Sequence, residues 1–447
     1  MNPHDDAGYF PRWTLRGDGV IAADERLPTS QTVLLGLQHV VAMFGATVLA
    51  PLLMGFDPNV AILFSGIGTL IFFVAVGGRV PSYLGSSFSF IAVVIAATGY
   101  AGSGLNANLP VALGGIVSAG VLYAAIGVAV MLVGYQWIER LMPPVVTGSV
   151  VAVIGLNLAP IAVKGISAST LDTWIGIATI LAVGLVAVRA PGLARRLPIL
   201  VGGIIGYMLY ALLTNGAGLG KPIDFSTVVN APWIGLPKLS SPVFDGNAIV
   251  LIVPVAIVLV AENLGHVKAV AAMTGRNLDP YLGRAFLGDG LATIVAGAGG
   301  GTGVTTYAEN IGVMAVTKIY STLIFVVAAA VAIVLGFSPK FGAMIMTIPG
   351  PVLGGLSIVV FGLITATGGR IWVQNHVDFS RARNLVTAAV TLTIGAGDLA
   401  LKLGGFTLGG IGTATFGAIL LYQLLRDGEV AGGDRHCQGV HRDVNLS

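Results

Sequence analysis

The feature that most constrains this chain is the recurrence, from residue 34 to residue 425, of apolar segments long enough to cross a bilayer. A transmembrane helix needs about 20 predominantly apolar residues. Only 10% of the 447 residues are charged, whereas soluble domains average about 25%. A soluble protein of this composition would aggregate, because too little polar surface is left to face water. The sequence therefore predicts an all-α polytopic membrane protein.

We predict fourteen transmembrane segments. Two of them, 85–99 and 304–317, are rich in Ser, Thr and Gly and are too short to cross as plain helices. The segment 384–398 is also short but more uniformly apolar. The predicted segments are 34–54, 60–77, 85–99, 111–133, 143–163, 173–189, 197–214, 247–268, 285–300, 304–317, 319–337, 341–365, 384–398 and 405–425.

The distribution of basic residues predicts the orientation. With the N-terminus in the cytoplasm, all but five of the 23 Lys and Arg residues fall on the cytoplasmic side, as the positive-inside rule requires. Both termini are then cytoplasmic. Residues 1–30 contain no apolar leader region, and the polar residues 426–447 are predicted to be a disordered cytoplasmic tail. The five exceptions are Lys164, Lys221, Lys238, Lys340 and Lys402.

Two segments 207 residues apart resemble each other. Residues 144–156 and 351–363 are identical at six of thirteen positions. They belong to the fifth and twelfth predicted segments, so the period is seven segments. An odd period turns the second copy upside down, which is the inverted-repeat plan of secondary transporters. Chance similarity between two Gly- and Val-rich helices is the alternative.

The same repeat pairs the two short segments. Ser86-Ser87-Phe88 corresponds to Thr305-Thr306-Tyr307, and each is a hydroxyl pair followed by an aromatic residue. Non-helical backbone at membrane depth is tolerated only where protein or a cavity satisfies its polar groups. Matched broken segments therefore indicate a binding site at the membrane midplane.

Three ionisable residues in the predicted spans are the main candidates for function. Glu262 and Glu309 lie within apolar segments, and His266 is four residues after Glu262, on the same helix face. Intramembrane carboxylates are costly and usually mark a substrate or proton pathway. A Glu/Glu/His cluster can hold an exchangeable proton. The alternatives are a glutamate that pairs with a basic residue and a histidine that only packs.

Several further residues carry weaker predictions. His39 could face the same cavity, Phe88 and Tyr307 could sandwich a flat ring or merely pack, and Asp289 is interpreted as a helix cap or packing residue. The chain has no P-loop, and Glu262-x-x-x-His266 is not a zinc motif. We therefore predict no enzymatic activity, no cofactor and no metal. The net charge of +3 is too small to indicate a nucleic-acid partner, and the single cysteine, Cys437, excludes an intramolecular disulfide.

Three motifs resemble the nucleobase–ascorbate transporter family, in its uracil permease branch. They are Gln38-His39, residues 83–88 (Tyr-Leu-Gly-Ser-Ser-Phe) and residues 309–318 (Glu-Asn-Ile-Gly-Val-Met-Ala-Val-Thr-Lys). The resemblance extends from about residue 24 to residue 425. It implies fourteen spans in a seven-plus-seven inverted repeat, with short antiparallel strands in spans 3 and 10. It also implies proton-linked uptake and homodimers that meet through gate domains.

The resemblance further implies a division into two domains and a tail. The core domain would comprise residues 31–135 and 247–338, and the gate domain residues 136–246 and 339–425. Residues 1–30 and 426–447 would be cytoplasmic.

Carried onto matching positions, the resemblance gives each site residue a role. Glu262 and Glu309 would accept hydrogen bonds from the N–H groups of uracil, and the backbone N–H groups of Phe88 and Ala308 would donate to its carbonyls. Phe88 and Tyr307 would contact the ring, and His266 would tune Glu262. The chain departs from some uracil carriers at Ala308, where they have Gly, and at Phe361, a further candidate, where some relatives have Tyr.

The sequence thus predicts a proton-coupled uracil symporter of the cytoplasmic membrane, surrounded by lipid and working by alternating access. A purine or xanthine permease of the same fold is the first alternative. A passive channel or an anion exchanger is the second, and an intramembrane enzyme the third.

Overall fold

The structure is a computed structural model that describes residues 8–17, 19–100, 102, 104–191, 194–403 and 406–425. The predicted tail and Cys437 lie outside these residues. Eighteen α-helices make up most of the described chain. They are α1 (Thr29–Met54), α2 (Pro58–Ala75), α3 (Ile91–Thr98), α4 (Leu109–Val133), α5 (Gln136–Leu141), α6 (Pro144–Ile166), α7 (Thr170–Arg189), α8 (Pro198–Ala211), α9 (Ser226–Asn230), α10 (Gly246–Ile252), α11 (Val255–Thr274), α12 (Leu282–Gly299), α13 (Ala308–Thr317), α14 (Thr322–Gly336), α15 (Pro339–Met346), α16 (Gly350–Gln374), α17 (Ala382–Ala396) and α18 (Gly410–Leu424).

Six short strands pair two by two. The strands are β1 (Thr14–Leu15), β2 (Glu25–Arg26), β3 (Leu84–Ser86), β4 (Val304–Thr306), β5 (Leu401–Leu403) and β6 (Phe406–Leu408). β1 pairs with β2 in parallel, whereas β3–β4 and β5–β6 are antiparallel. Short 3₁₀ turns lie at Phe88–Phe90, Ala194–Arg196 and Asp279–Tyr281, and a π-helical turn at Leu212–Gly216 ends α8.

Eight helices of the described residues are long and apolar enough to cross a membrane, or nine if α14 and α15 form one bent span. Two predicted boundaries are wrong. The segment 341–365 is divided between α15 and α16, since Pro349 and Pro351 favour a new helix start there. The end of the segment 247–268 is also wrong, because α11 continues to Thr274 and Glu262 is near the middle of that helix. α10 and α11, which are interrupted at Val253 and Pro254, still count together as one candidate span, Gly246–Thr274. The count of fourteen spans stays a prediction.

Glycines allow two close helix crossings. At the crossing of α6 and α16, a Cβ on Gly368 would lie 2.7 Å from the backbone nitrogen of Ala152. At the crossing of α4 and α12, a Cβ on Gly120 would lie 2.9 Å from the backbone nitrogen of Ile294. Small residues let helix backbones approach closely where lipid gives no hydrophobic drive for association.

The N-terminal segment packs against the bundle. Ile21 bridges to Ile319, and the indole nitrogen of Trp13 donates to the Thr322 hydroxyl at 3.0 Å. Arg276 pairs with Asp24. These contacts join residues 13–24 to the chain between α13 and α14 and to the end of α11.

Candidate functional site

Two helical segments begin directly after β3 and β4, which form an antiparallel pair inside the bundle. We call this pair of strands the strand crossing. β3 and β4 pair with Gly85 opposite Thr305. The Ser87 N–H donates to the Gly303 carbonyl at 2.9 Å, and the Tyr307 N–H donates to the Tyr83 carbonyl at 3.0 Å. The 3₁₀ turn at Phe88–Phe90, which leads into α3, follows β3, and α13 follows β4. The short strands that the resemblance implies are present, and the repeat-matched segments are neighbours.

This arrangement presents two backbone donors. Phe88 and Ala308 are the first residues of their helices, and the N–H groups of a first turn have no acceptor inside the helix. Among the described residues, no other acceptor is found for either N–H group. The side chain of Tyr307, which precedes α13, does not cap the helix. Free N–H groups at a helix start bind electronegative atoms such as a carbonyl oxygen.

Glu309 and Glu262 lie beside these donors. Glu309 is in the first turn of α13, and Glu262 is on α11. The two carboxyl groups are close enough to interact electrostatically, and the Ser89 hydroxyl lies near Glu262. Both side chains are half-buried, and Ala308 between them and the strands is exposed. The exposure in this region is therefore at Ala308, whereas Glu262 Oε2 is buried.

Several polar atoms here lack partners. Within the part of the chain that the structure describes, Glu262 Oε2, Ser89 Oγ and Thr305 Oγ1 are buried without a hydrogen bond. No ion pair in the described part of the chain includes Glu262 or Glu309. A buried polar atom without a partner is costly and needs an explanation, such as a ligand. The ion pairs of the described residues therefore give no support to the alternative in which a basic residue pairs with either glutamate.

His266 is held towards the strand crossing. Its Nδ1 atom lies 2.8 Å from the Thr306 hydroxyl at the end of β4. Glu262 is one helical turn earlier on α11, on the same helix face as His266. The structure therefore brings together the three residues that the sequence singles out on α11 and α13.

His39 occupies a different position. The Asn310 side-chain nitrogen lies 3.0 Å from His39 Nδ1 and donates to the His39 carbonyl at 3.1 Å. The imidazole also packs against Phe325, with ring centroids 4.7 Å apart. His39 thus contacts α13 through Asn310, the residue after Glu309. A direct role in the cavity stays a prediction.

The aromatic candidates have separate environments. Phe88 meets Phe361 edge to face, with centroids 5.9 Å apart, so this pair joins the strand crossing to α16. The hydroxyl of Tyr307 donates to the Ser86 carbonyl at 2.9 Å, and only 3% of the side chain is exposed. Ring contact by either Phe88 or Tyr307 stays a prediction.

A buried polar cluster behind Glu262 was not predicted. The Asn263 amide donates to Asp289 Oδ2 at 2.8 Å and to the Tyr123 hydroxyl at 2.9 Å. Asp289 lies inside α12, so the expectation that it caps a helix is wrong and only the packing role agrees with the structure. One signal in the sequence could have found the buried asparagines. Glu-Asn-x-Gly occurs at both 262–265 and 309–312, and both Asn263 and Asn310 are fully buried.

The groups gathered here can accept and donate hydrogen bonds. The region offers carboxylate acceptors, backbone donors and an imidazole, with the Phe88–Phe361 ring pair beside the strands. In the described residues, no group of three or more His, Cys, Asp or Glu side chains could hold a metal ion.

Comparisons with known proteins identify the family of this chain. A family model described as "Permease family" (Xan_ur_permease) matches residues 30–404. A protein of Escherichia coli (strain K12) named as a pyrimidine permease, RutG, is 65% identical over 93% of this chain and 95% of its own. A uracil permease of Paenibacillus larvae is 43% identical over 90% of this chain and 96% of its own. A uracil permease of Bacillus caldolyticus is 40% identical over 91% and 94%.

Solved structures show the fold. The transmembrane domain of the cyanobacterial bicarbonate transporter BicA superposes with a TM-score of 0.59 at 18% identity, over 82% of this chain and 96% of that domain. SLC26A9 superposes with a TM-score of 0.61 at 13% identity, over 88% of this chain. The chain spans 64% of the length of SLC26A9. At these identities the likeness concerns the fold alone.

Proposed function

This chain belongs to the permease family, in the uracil branch of the nucleobase–ascorbate transporters, and we propose that it is a proton-coupled symporter that imports uracil by alternating access. The relatives named as pyrimidine or uracil permeases align over nearly their whole length. The protein is therefore a multi-pass membrane transporter of a pyrimidine base.

The observation that carries the proposal is the pairing of two carboxylates with two free backbone donors. Uracil is flat and uncharged, and its edge alternates N–H donors with carbonyl acceptors. Glu262 and Glu309 can accept from its N–H groups, and the N–H groups of Phe88 and Ala308 can donate to its carbonyls. A site built to hydrogen-bond a ligand discriminates strongly against molecules that leave its polar groups unpaired.

The position of His266 supports proton coupling. Glu262 and His266 share one helix face, and Glu262 Oε2 has no protein partner among the described residues. We assign Glu309 mainly to recognition and Glu262, with His266, to the proton. Because uracil carries no charge, a co-transported proton can supply the driving force for accumulation.

The two alternatives differ in what they require of the site. A purine or xanthine permease would need room for a second ring. An anion exchanger, on the fold that BicA also has, should present basic groups or free donors to its substrate. Two glutamates at the site oppose an anionic substrate, whereas the free backbone donors are compatible with either.

Helix packing supports the proposed core and gate domains. α4 packs on α12, and α2 packs on α14 and α12, all within the proposed core domain. α6 packs on α16, and α7 packs on α8 and α16, all within the proposed gate domain. α15 contacts α2, and its Phe341 ring lies 5.6 Å from the Phe44 ring of α1. α15 also contacts α9 of the proposed gate domain, where Lys340 Nζ donates to the Val228 carbonyl at 3.0 Å, so α15 touches both proposed domains and we keep the boundary at residue 339.

We further propose fourteen spans in an inverted repeat, in the inner membrane and with both termini cytoplasmic. The positive-inside distribution supports the orientation. Outward-facing apolar residues on α7 and α8, such as Trp174, Leu185 and Met208, suit contact with lipid or with a second copy in a homodimer that meets through gate domains.

Uptake into proteoliposomes tests the proposal. We expect wild-type protein to accumulate labelled uracil, a protonophore to abolish accumulation, and excess xanthine to compete weakly. Accumulation that survives the protonophore would exclude proton coupling, and strong xanthine transport would favour the purine alternative. Recovered substrate should be chemically unchanged, because alteration would indicate an enzyme.

Two variants separate the roles of the glutamates. Glu309→Gln should weaken uracil binding by about 10- to 100-fold, since hydrogen bonds to charged groups contribute roughly 1.5–3 kcal/mol. Glu262→Gln should retain binding and exchange but lose proton-driven accumulation. Glu139→Gln, on the short helix α5, is the matched control and should transport normally. Normal transport by Glu309→Gln would show that the proposed site is wrong.

A further inference from the structure

Three hydroxyl groups connect α1 to both strands of the crossing. The Tyr307 hydroxyl donates to the Ser86 carbonyl at 2.9 Å, and the Thr47 hydroxyl donates to the Tyr307 oxygen at 3.2 Å. The Ser86 hydroxyl reaches the Thr47 carbonyl at 3.4 Å and accepts from the Thr302 hydroxyl at 2.6 Å. We call Thr47, Ser86 and Tyr307 the hydroxyl clasp.

The clasp is buried and tightly packed. Thr47 and Ser86 are fully buried, and Tyr307 is nearly so. Gly85 lies directly beneath it, where an added Cβ would be 2.6 Å from Thr47 Oγ1 and would overlap the Tyr307 ring. The ring of Tyr307 therefore rests on the strand, and its hydroxyl is already bonded to protein. This geometry is that of a structural crosslink rather than of a surface on which a base could stack.

β3 and β4, which the clasp connects, are too short to form a stable pair on their own. Each strand contributes three residues, and an isolated two-stranded ladder is marginal even when longer. The free donors lie immediately beyond the clasp, because Phe88 is two residues after Ser86 and Ala308 directly follows Tyr307. A change in the angle of the strands would therefore change the separation of the two N–H groups.

We propose that Thr47, acting through the Tyr307 hydroxyl, is a positioning residue that fixes the spacing of the Phe88 and Ala308 donors and so restricts the site to a single-ring base. This inference rests on the proposed function. Without the clasp the donors are free to separate, so uracil binds less well and a two-ring base is tolerated better. Thr47 itself does not contact the substrate.

The test compares isosteric and hydroxyl-retaining variants in uracil uptake. Thr47→Val and Tyr307→Phe should each raise the KM for uracil by roughly 5-fold, the loss of one net hydrogen bond, with kcat within about 2-fold. Both should increase the inhibition of uracil uptake by xanthine. Thr47→Ser should keep the wild-type KM and selectivity. Thr391→Val, which removes a buried hydroxyl bonded within α17, is the matched control and should change neither.

The outcomes distinguish this inference from the proposed function. A folded wild-type protein that does not take up uracil would overturn the proposed function and the clasp with it. Wild-type uptake together with unchanged KM and selectivity in both Thr47→Val and Tyr307→Phe would overturn the clasp alone, as would a Thr47→Ser variant that behaves like Thr47→Val. If Thr47→Val does not fold, Tyr307→Phe decides, because it removes only the hydroxyl from a ring that stays packed.

Discussion

The Nδ1 atom of His266 lies 2.8 Å from the Oγ1 atom of Thr306. This contact joins α11, which carries Glu262, to the strand that ends three residues before Glu309. This hydrogen bond therefore connects the proposed proton site to the proposed recognition site, in addition to the electrostatic interaction between the two carboxyl groups.

Removing the Thr306 hydroxyl should affect proton coupling more than binding. The hydroxyl orients the imidazole and selects which ring nitrogen carries the proton. We expect Thr306→Val to lower the maximal rate of proton-driven uracil uptake by roughly 3- to 10-fold, consistent with one lost hydrogen bond, and to leave uracil binding unchanged. Thr306→Ser should restore the rate. Uptake kinetics and equilibrium binding measured on the same preparations would show this, and an equal loss of binding would contradict it.

The crossing of α6 and α16 should not tolerate a methyl group at Gly368. A Cβ there would lie 2.7 Å from both the backbone nitrogen and the Cβ of Ala152. We expect Gly368→Ala to cost about 1–3 kcal/mol by overpacking. At the adjacent Gly369, nothing lies within 4 Å of an added Cβ, so Gly369→Ala should be neutral or slightly stabilising. Thermal unfolding in detergent would compare the two, and equal melting temperatures would argue against this crossing.

The ion-pair network below α11 should stabilise the protein only above acidic pH. Asp279 accepts from Lys268 and from the Tyr135 hydroxyl, each at 2.7 Å. Partial burial alone would raise the pKa of Asp279, but these hydrogen bonds hold it below its usual value. A depressed pKa contributes stability that is present above the unfolded value, about 3.9, and is lost as the pH falls through the folded value.

We therefore expect Lys268→Met to lower stability at pH 7 by up to about 1 kcal/mol, because the groups are partly exposed. The difference from wild type should shrink below about pH 4. Lys402→Met, which lies outside this network, is the control. Unfolding midpoints measured from pH 7 to pH 3 would reveal the trend, and a difference that grows on acidification would refute it.

The proposed orientation can be checked with single cysteines in a Cys437→Ser background. Lys238 and Arg195 are both exposed, in chain segments predicted to lie on opposite sides of the membrane. A membrane-impermeant maleimide should label Lys238→Cys in intact cells. It should label Arg195→Cys only after permeabilisation. The reverse pattern would show that the orientation is inverted.

Much of the candidate site could be predicted from the chain. Glu262 and Glu309 stand out because an intramembrane carboxylate is costly, and the spacing of Glu262 and His266 places them on one helix face. The break in two segments could be expected because they were too short to cross, whereas their pairing as strands was implied only by the family resemblance. Helix boundaries were harder to predict, since the apolar run from 341 to 365 gives no hydropathy signal for the new helix start at Gly350.

What the sequence determined by itself was the membrane environment, the candidate carboxylates and the break in the two short segments, because each depends on local hydrophobicity and charge. Only the tertiary structure decided what those residues contact. Thr47 is 260 residues from Tyr307 in the chain, and Asn263 is 140 residues from Tyr123. A polar side chain in an apolar run has to find a partner, but the identity of that partner depends on which helices pack together. For this reason the hydrogen bonds of the Tyr307 hydroxyl with Ser86 and Thr47 could not be predicted from the sequence, and contact of its ring with the substrate stays a prediction.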